Sequence, residues 1–555
     1  MRYLVYFYHR HIEFRSETRS KRAHSPSTVS RALFQRPGGG HLSRVFSRAR
    51  RSRASRSTLT SAHASPPRRR PEFEAVAEMC GTSSDSLNWT RAGGGDDDDD
   101  TSPFWYCDLP SEDVARAIAE RAVLVRGIVE EWGSGEDGAA CAAACAAYDE
   151  SRKTPYLSAE TTFRVEVEDF GRNGGRAHVR ARLDELQIPF EGKVDLTGTP
   201  DHVFWSVVCD HARTDLGGTR HWVLFGRLVG RGDRSTIKKY ELTKRLYLGP
   251  TTMDPEMSLL IANFAQARSG GIVLDPFCGT GSMIVAAAHY GAMTMGLDID
   301  PRVIKHGKSS VKKKKQGKFM ETAEDGSCVN VWSNFEQYGL QPPVALVHGD
   351  LHALPTRKFG LEGMLQGIVA DPPYGVRAGG RKSGGRKPLA EDYVIPEELR
   401  ENHIPSTAPY PFGEMNDDLL DLAARFLSIG GKLVYFLPGS IADAEREIRD
   451  LPAHPLLRLR WHALEPFNTL WGRRLVTYEK IAPYDADIAI KARHDAVTAR
   501  EASSEPDLIE RMRALVWRSR EARLAGDRAD RATRKHHHRE RVRDARRAAS
   551  ERTEL

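Results

Sequence analysis

Several absences narrow the reading of this 555-residue chain. No stretch approaches the roughly 20 consecutive apolar residues that span a bilayer, so no membrane segment is expected. Cysteine is sparse: the seven are Cys80, Cys107, Cys141, Cys145, Cys209, Cys278 and Cys328. None is paired at zinc-knuckle spacing, so no metal site is expected. Reduced thiols fit a cytosolic or nuclear compartment. No Gly-Lys-Ser/Thr follows a glycine turn, and no G-x-G-x-x-G occurs at one; both omissions count against a P-loop nucleotidase and a nicotinamide dehydrogenase. Acidic residues are nearly missing from Ser16 to Arg70, where 14 Lys and Arg face only Glu17. That segment carries +13, against +7 for the whole chain, so the remainder is net acidic at −6. The basic balance therefore says little about the folded part, and any nucleic-acid affinity must come from local patches.

The chain divides into five stretches. Residues 1–15 open with an aromatic, apolar run that reads as a strand, too short and too charged behind to be a signal peptide. Residues 16–70 are Arg/Ser-rich and read as a disordered insertion; an organelle transit peptide shares that composition. Residues 71–250 read as an α+β region. It starts with a helix over Pro71–Gly81, and Ser111 caps a second helix with Glu112 and Asp113 in its first turn. Strands are expected at Phe104–Leu109, Thr162–Glu168, Ala177–Leu183, His202–Cys209 and Trp222–Val229. Residues 251–483 alternate short apolar runs with helices, the pattern of a parallel sheet covered on both faces. The interruption from Arg377 to Thr407 reads as a mobile loop. Residues 484–555 read as a charged helical or disordered tail.

Chemistry concentrates in the fourth stretch. Asp275-Pro276-Phe277-Cys278-Gly279-Thr280-Gly281 sits where a strand turns into a helix. Its glycines allow a tight turn and close approach of a ligand to backbone. Asp298 and Asp300 end the next strand, about 20 residues on, where a carboxylate can hold a cofactor's ribose hydroxyls. Asp350 closes a third strand and could accept from an adenine amino group. Asp371-Pro372-Pro373-Tyr374 closes a fourth. Two prolines fix an extended backbone, so the Asp371 carboxylate and nearby carbonyls are preset acceptors. Tyr374 offers a flat face to a base. An exocyclic amine is a poor nucleophile because its lone pair is delocalised. Acceptors gripping its protons would localise that pair and aim it at an electrophilic methyl group. Lys238, Lys239, Lys244 and Arg245 form a basic cluster ahead of these motifs, a candidate phosphate contact.

Together these motifs resemble the class I amino-methyltransferases. Thr251-Thr252-Met253-Asp254, the run from Ala287 to Ala292 and the run from Asp371 to Arg377 are more narrowly similar to the tRNA guanosine-10 N2-methyltransferase family. Pro103-Phe104-Trp105, Leu109 to Asp113, Trp132-Gly133, Pro189 to Lys193 and Phe225-Gly226-Arg227 share that similarity. The resemblance implies a Rossmann-like methyltransferase domain behind a THUMP-type RNA-binding region. It also implies S-adenosylmethionine as cofactor, tRNA as substrate, a small zinc-binding activator subunit as partner, and a cytoplasmic location. On it, Asp275, Pro276, Phe277, Gly279, Thr280 and Gly281 hold the methionine part, Asp298 or Asp300 the ribose and Asp350 the adenine. Asp371, Pro372, Pro373 and Tyr374 hold the target base. Family-like sequence on both sides of residues 16–70 favours the insertion. The catalytic stretch from Thr251 to Lys480 is expected to bind cofactor alone but to methylate tRNA poorly. An amino-methyltransferase acting on rRNA, DNA or protein glutamine, and a catalytically inert RNA-binding scaffold, are the alternatives.

Overall fold

The computed structural model describes residues 1–7, 70–92, 103–170, 176–210, 221–304, 314–315, 318–319, 329–354, 360–375, 379–384, 406–441, 448–468, 470–504 and 508–517. Most of 16–70, the aspartate run 93–100 and most of the tail beyond 517 lie outside the described residues, with the expectations made for them.

Two mixed sheets carry the molecule. The first has eight strands in the spatial order Trp89–Arg91, Phe104–Asp108, Arg2–Phe7, Val125–Gly135, His221–Arg231, His202–Asp210, Thr162–Phe170 and Lys193–Val194. The opening strand is interior. Five of its six residues are buried, and it pairs antiparallel with Phe104–Asp108 on one side and Val125–Gly135 on the other. Ser111 caps the helix Glu112–Arg121 by accepting from Val114 N at 3.3 Å, as its sequence setting requires. Cys141 and Cys145 are buried in the alanine-rich helix Gly138–Ala147.

One element differs in kind. Ala177–Leu183, expected as a strand from its alternating pattern, lies in the helix Arg176–Leu186. Val179, Leu183 and Leu186 also stand at i, i+4 and i+7, and Leu186 reaches the core at 4% exposure. A short arginine-rich run satisfies both periods, and packing chose the helical one.

The second sheet has seven strands, ordered Ala345–His348, Met293–Asp298, Ile272–Asp275, Leu365–Ala370, Leu427–Ser440, Trp471–Lys480 and Leu457–Pro466. The first five run parallel; Trp471–Lys480 alone is reversed against both its neighbours. This is the expected Rossmann-like methyltransferase sheet. Strand order reverses around Ile272–Asp275, and such a switch point opens a crevice at the strands' carboxyl ends. The expected loop after Arg377 contains, among the described residues, a strand pair of Gly380–Ser383 with Thr407–Tyr410.

The two halves share one core. Helix Arg70–Met79 packs Phe73, Val76 and Ala77 into the same apolar cluster as Leu259, Ile261 and Phe264 of helix Pro255–Phe264. Polar links follow the same seam: Trp461 Nε1 donates to Glu74 at 2.9 Å, Arg460 pairs with Glu78 at 2.6 Å, and Arg121 Nε donates to Asn263 at 3.0 Å. Arg70 lies over the Trp105 ring at 3.6 Å, so it belongs to the folded region rather than to the basic segment before it. A fragment starting at Thr251 would strip apolar cover from Pro255–Phe264. The boundary at 250 separates motifs without separating the core.

Candidate active site

The crevice is assembled from four strand ends. Asp275 ends the central strand and is 1% exposed; its Oδ1 accepts from Phe277 N at 2.9 Å, which turns the chain back over the strand. Burial raises its pKa to about 8. Gly279 and Gly281 take φ of +51° and +82°, the left-handed region that favours glycine. A Cβ on Gly281 would also meet Val331 Cγ1 at 2.8 Å, whereas one on Gly279 would meet almost open space. Pro276 and Phe277 lie within this turn, and Thr280 is tied by its hydroxyl to Thr252 at 2.9 Å.

Asp298 ends the neighbouring strand. Its Oδ2 accepts from Gly279 N at 2.8 Å and its Oδ1 from Asp300 N at 2.8 Å, so one carboxylate fixes both cofactor-side loops. Burial raises its pKa. Asp300 points elsewhere: it accepts from Arg302 Nη2 at 2.7 Å and Nε at 2.9 Å, which lowers its pKa. Of the two acids, Asp298 faces the glycine turn.

Asp350 follows the strand Ala345–His348 and is 8% exposed. Its Oδ1 accepts from His352 N at 3.0 Å and its Oδ2 from Ser383 N at 2.7 Å, so it caps one turn and anchors the strand Gly380–Ser383.

Asp371 follows the strand Leu365–Ala370 and is partly exposed. Its Oδ1 accepts from the Tyr374 hydroxyl, three residues on, across Pro372 and Pro373. Burial raises its pKa, and Arg473, with Nη1 3.6 Å from Oδ2, opposes that rise. Arg473 carries no sequence signal of its own. It comes from the reversed strand, 8% exposed, with its guanidinium carbon 3.9 Å from the Phe436 ring centre. The next residue, Gly375, has φ of +76°, and its carbonyl accepts from Arg513 Nε at 3.0 Å and Nη2 at 2.9 Å. This contact from beyond the sheet was not foreseen either.

The basic cluster divides. Lys238, Lys239 and Lys244 are exposed, Lys244 sitting 3.3 Å from Glu241 in a solvated pair. Arg245 is 4% exposed and donates to Ser282 Oγ at 2.7 Å, at the start of the helix behind the glycine turn. It braces the crevice and is withdrawn from phosphates. Asn334, fully buried, fixes the same segment by accepting from Tyr247 N at 2.9 Å and donating to Thr280 O at 3.3 Å.

Among the described residues, His352, Glu414 and Asp418 converge closely enough to surround an ion. Lys382 already pairs with Glu414 at 2.5 Å and Arg493 with Asp418 at 2.6 Å. The cluster is an ion-pair network joining the helix Phe412–Phe426 to the helix Ala486–Ala502.

The crevice thus offers a glycine turn at a helix N-terminus with Asp275 at its foot, and the carboxylates of Asp298 and Asp371 at the ends of the two strands that flank it. Asp298 and Asp371 both lie close enough to Asp275 to add to the rise in its pKa that burial causes. An acid-rich crevice suits a ligand with a cationic centre, and the helix N-terminus suits a ligand carboxylate. S-adenosylmethionine has both. The open side of Gly279 leaves room for it.

Comparisons with known proteins agree. A family profile described as an RMKL-like methyltransferase domain matches residues 243–387, and one described as the Tmrp11 THUMP N-terminal domain matches residues 58–234. The tRNA (guanine(10)-N(2))-methyltransferase TRMT11 of Mus musculus is 33% identical over 387 residues, covering 69% of this chain and 81% of that protein. Its Homo sapiens counterpart is also 33% identical, with the same coverage of both chains. The Dictyostelium discoideum relative of the same name is 34% identical, over 70% of this chain and 75% of its own length.

Proposed function

The chain belongs to the tRNA (guanine(10)-N(2))-methyltransferase family, and we infer that its strand-end crevice carries the family's reaction through the residues just described. The enzyme transfers a methyl group from S-adenosylmethionine to the exocyclic amine of guanosine 10 in tRNA. The observation that carries the residue assignment is the convergence of Asp298 and Asp371 on either side of one glycine turn at the switch point.

When bound, S-adenosylmethionine supplies an electrophilic methyl group. Asp298 would hold the ribose diol through the lone pairs left beside its two backbone bonds, and the Gly279–Gly281 turn would cradle the methionine end. Asp371 and the carbonyls of the proline pair would accept from the guanine amine, and Tyr374 would lie against the base. As the amine nitrogen takes the methyl group, the pair of the broken S–CH3 bond would stay on the cofactor's sulfur, and Asp371 would take the proton that the methylated nitrogen gives up. Alanine at Asp298 should weaken cofactor binding very roughly ten- to a hundredfold, one lost charge-assisted hydrogen bond being worth about 1.5–3 kcal/mol. Alanine at Asp300 should leave it nearly unchanged. Calorimetric titration of both variants decides between the acids, and the reverse ranking would exchange their roles.

tRNA is the substrate, and the first sheet, seven of whose strands lie within the THUMP match, would dock it. Extruding a base costs a few kcal/mol that remote contacts must offset. Lys238, Lys239 and Lys244 are the exposed cations between the halves. Reversing all three to glutamate should weaken tRNA binding and flatten its salt dependence by about 2–3 log units per log unit of salt, with cofactor affinity unchanged. An unaltered salt slope would remove them from the interface. A small zinc-binding activator subunit would cover the outer strand Ala345–His348, where Val344 and Val347 are 60% and 38% exposed. An edge strand with apolar exposure calls for cover. No helix among the described residues is long and apolar enough to cross a membrane; a cytoplasmic site of action is consistent with the tRNA substrate. A segment 16–70 inserted behind an interior strand fits better than a cleaved leader, because cleavage at 70 would remove Arg2–Phe7 from the middle of the first sheet. The test of the whole reading is nucleoside mass spectrometry of a tRNA transcript incubated with the protein and cofactor. Methylation of guanosine 10, and its loss on replacing that nucleotide, supports it; methylation elsewhere would refute it.

A further inference from the structure

Arg473 occupies an unusual station. It stands on Trp471–Lys480, directly across from Glu465 on the edge strand, and two strands away from the strand that leads into Asp371. It reaches the catalytic motif by lying over Phe436 on the intervening strand. Its Nε donates to Glu465 Oε2 at 2.6 Å and its Nη2 approaches Met253 Sδ at 3.5 Å. Its Nη1 stands 3.6 Å from Asp371 Oδ2. The fork is therefore fixed by a carboxylate, a ring and a thioether before it meets Asp371.

The distance to Asp371 matters. At 3.6 Å the guanidinium supplies charge but lies beyond the ~3.2 Å reach of a good N–H···O bond. Oδ1 of Asp371 is already taken by the Tyr374 hydroxyl. Oδ2 thus faces a cation and keeps its lone pairs for another donor. A carboxylate in this buried place without a nearby cation would tend to hold its proton, and a protonated acid cannot accept both hydrogens of an amine. Three acids and one cation meet here: Asp371 is faced by Arg473 and Glu465 from the two last strands, by Tyr374 on its own loop, and by Asp275 from the central strand.

We propose that Arg473, anchored by Glu465, is a positioning residue for methyl transfer: it keeps the Asp371 carboxylate ionised and turned so that Oδ2 accepts from the guanine amine. The proposal rests on the methyltransferase reading above. It also gives Glu465 a task, since without that partner the guanidinium could move those last tenths of an ångström and close on Asp371 itself.

The test uses the full-length protein, a tRNA transcript with guanosine at position 10, and steady-state rates measured from acid to alkaline pH. Arg473→Met removes the cation. It should lower kcat about a hundredfold, leave KM for tRNA within about threefold, and move the acid limb of the kcat profile to higher pH. Arg473→Lys restores charge without the fork, so it should return the acid limb most of the way while kcat stays depressed. Glu465→Gln removes a negative neighbour and frees the guanidinium to close on Asp371, so it should lower kcat while moving the limb to lower pH. An acid limb unmoved in Arg473→Met and Arg473→Lys would overturn the proposal, as would a kcat loss that simply follows a loss of cofactor binding. Should Arg473→Met fail to fold, Arg473→Lys and Glu465→Gln decide: wild-type kcat in the first, or a limb in the second that does not move to lower pH, refutes it. A wild-type protein that leaves the transcript unmethylated at guanosine 10 would instead refute the underlying reading, whatever the variants do.

Discussion

Alanine at Asp371 should cut methyl transfer by roughly 10²–10⁴-fold while cofactor affinity stays nearly unchanged. The carboxylate follows the strand Leu365–Ala370, on the far side of the central strand from Asp298, which accepts from Gly279 N. On the proposed roles, removing it deletes acceptors for the substrate amine and leaves the Gly279–Gly281 turn intact. Single-turnover rates beside cofactor titration separate these effects, and activity within about tenfold of wild type, or about 1.4 kcal/mol of barrier, would sink the role. The wild-type pH profile should carry the same signature. Burial raises the Asp371 pKa against the pull of Arg473. Activity needs the ionised form, so it should fall as pH drops through that raised value. The acid limb should therefore lie above that of an exposed aspartate, and it should vanish in the residual activity of Asp371→Ala.

Alanine at Glu72 should cost on the order of 3–5 kcal/mol of stability. Glu72 is wholly buried. Its Oε1 accepts from Val123 N at 2.7 Å and Asn263 Nδ2 at 2.7 Å, and its Oε2 accepts from Leu124 N at 2.8 Å. Deleting the carboxylate leaves three buried N–H donors without this acceptor, the two backbone ones worth about 1–3 kcal/mol each, and opens a cavity besides. Denaturant unfolding measures the loss; a cost below about 1 kcal/mol would show that the seam between the halves does not depend on this residue. The pH dependence has a definite sign. Burial raises the Glu72 pKa to about 7. Between the ordinary carboxylate range and that value the folded chain holds a proton that the unfolded chain has lost. The group's contribution to stability is thus fully present below the unfolded pKa and is lost as pH rises to about 7. Glu72→Ala should lack that slope.

How legible each feature was follows from what holds it. The glycine turn, the strands around it and the Ser111 cap were read correctly, because each depends on residues within a few positions. The parallel character of the second sheet followed from its alternation of short apolar runs with helices. Ala177–Leu183 went wrong because its short pattern fits two periods and its neighbours made the choice. Arg245 carried the right chemistry for the role expected of it, and burial redirected it to Ser282. Arg473 and Arg513 were invisible for the complementary reason: an arginine on an edge-side strand or a tail helix has no motif, and only the fold brings it to Asp371 or Gly375.

The sequence alone determined the class of chemistry. An Asp-Pro-Pro-Tyr motif, a Gly-Thr-Gly turn and an acid at a strand end are local solutions to holding an amine and a nucleoside cofactor, and local backbone chemistry can be read in order along the chain. The tertiary structure decided which acids stay free to act and how the halves are joined. Glu72 meets Asn263 across 191 residues, and no spacing rule reaches that far. Burial sets the charge state of a carboxylate, and burial is a property of what the rest of the chain packs around it.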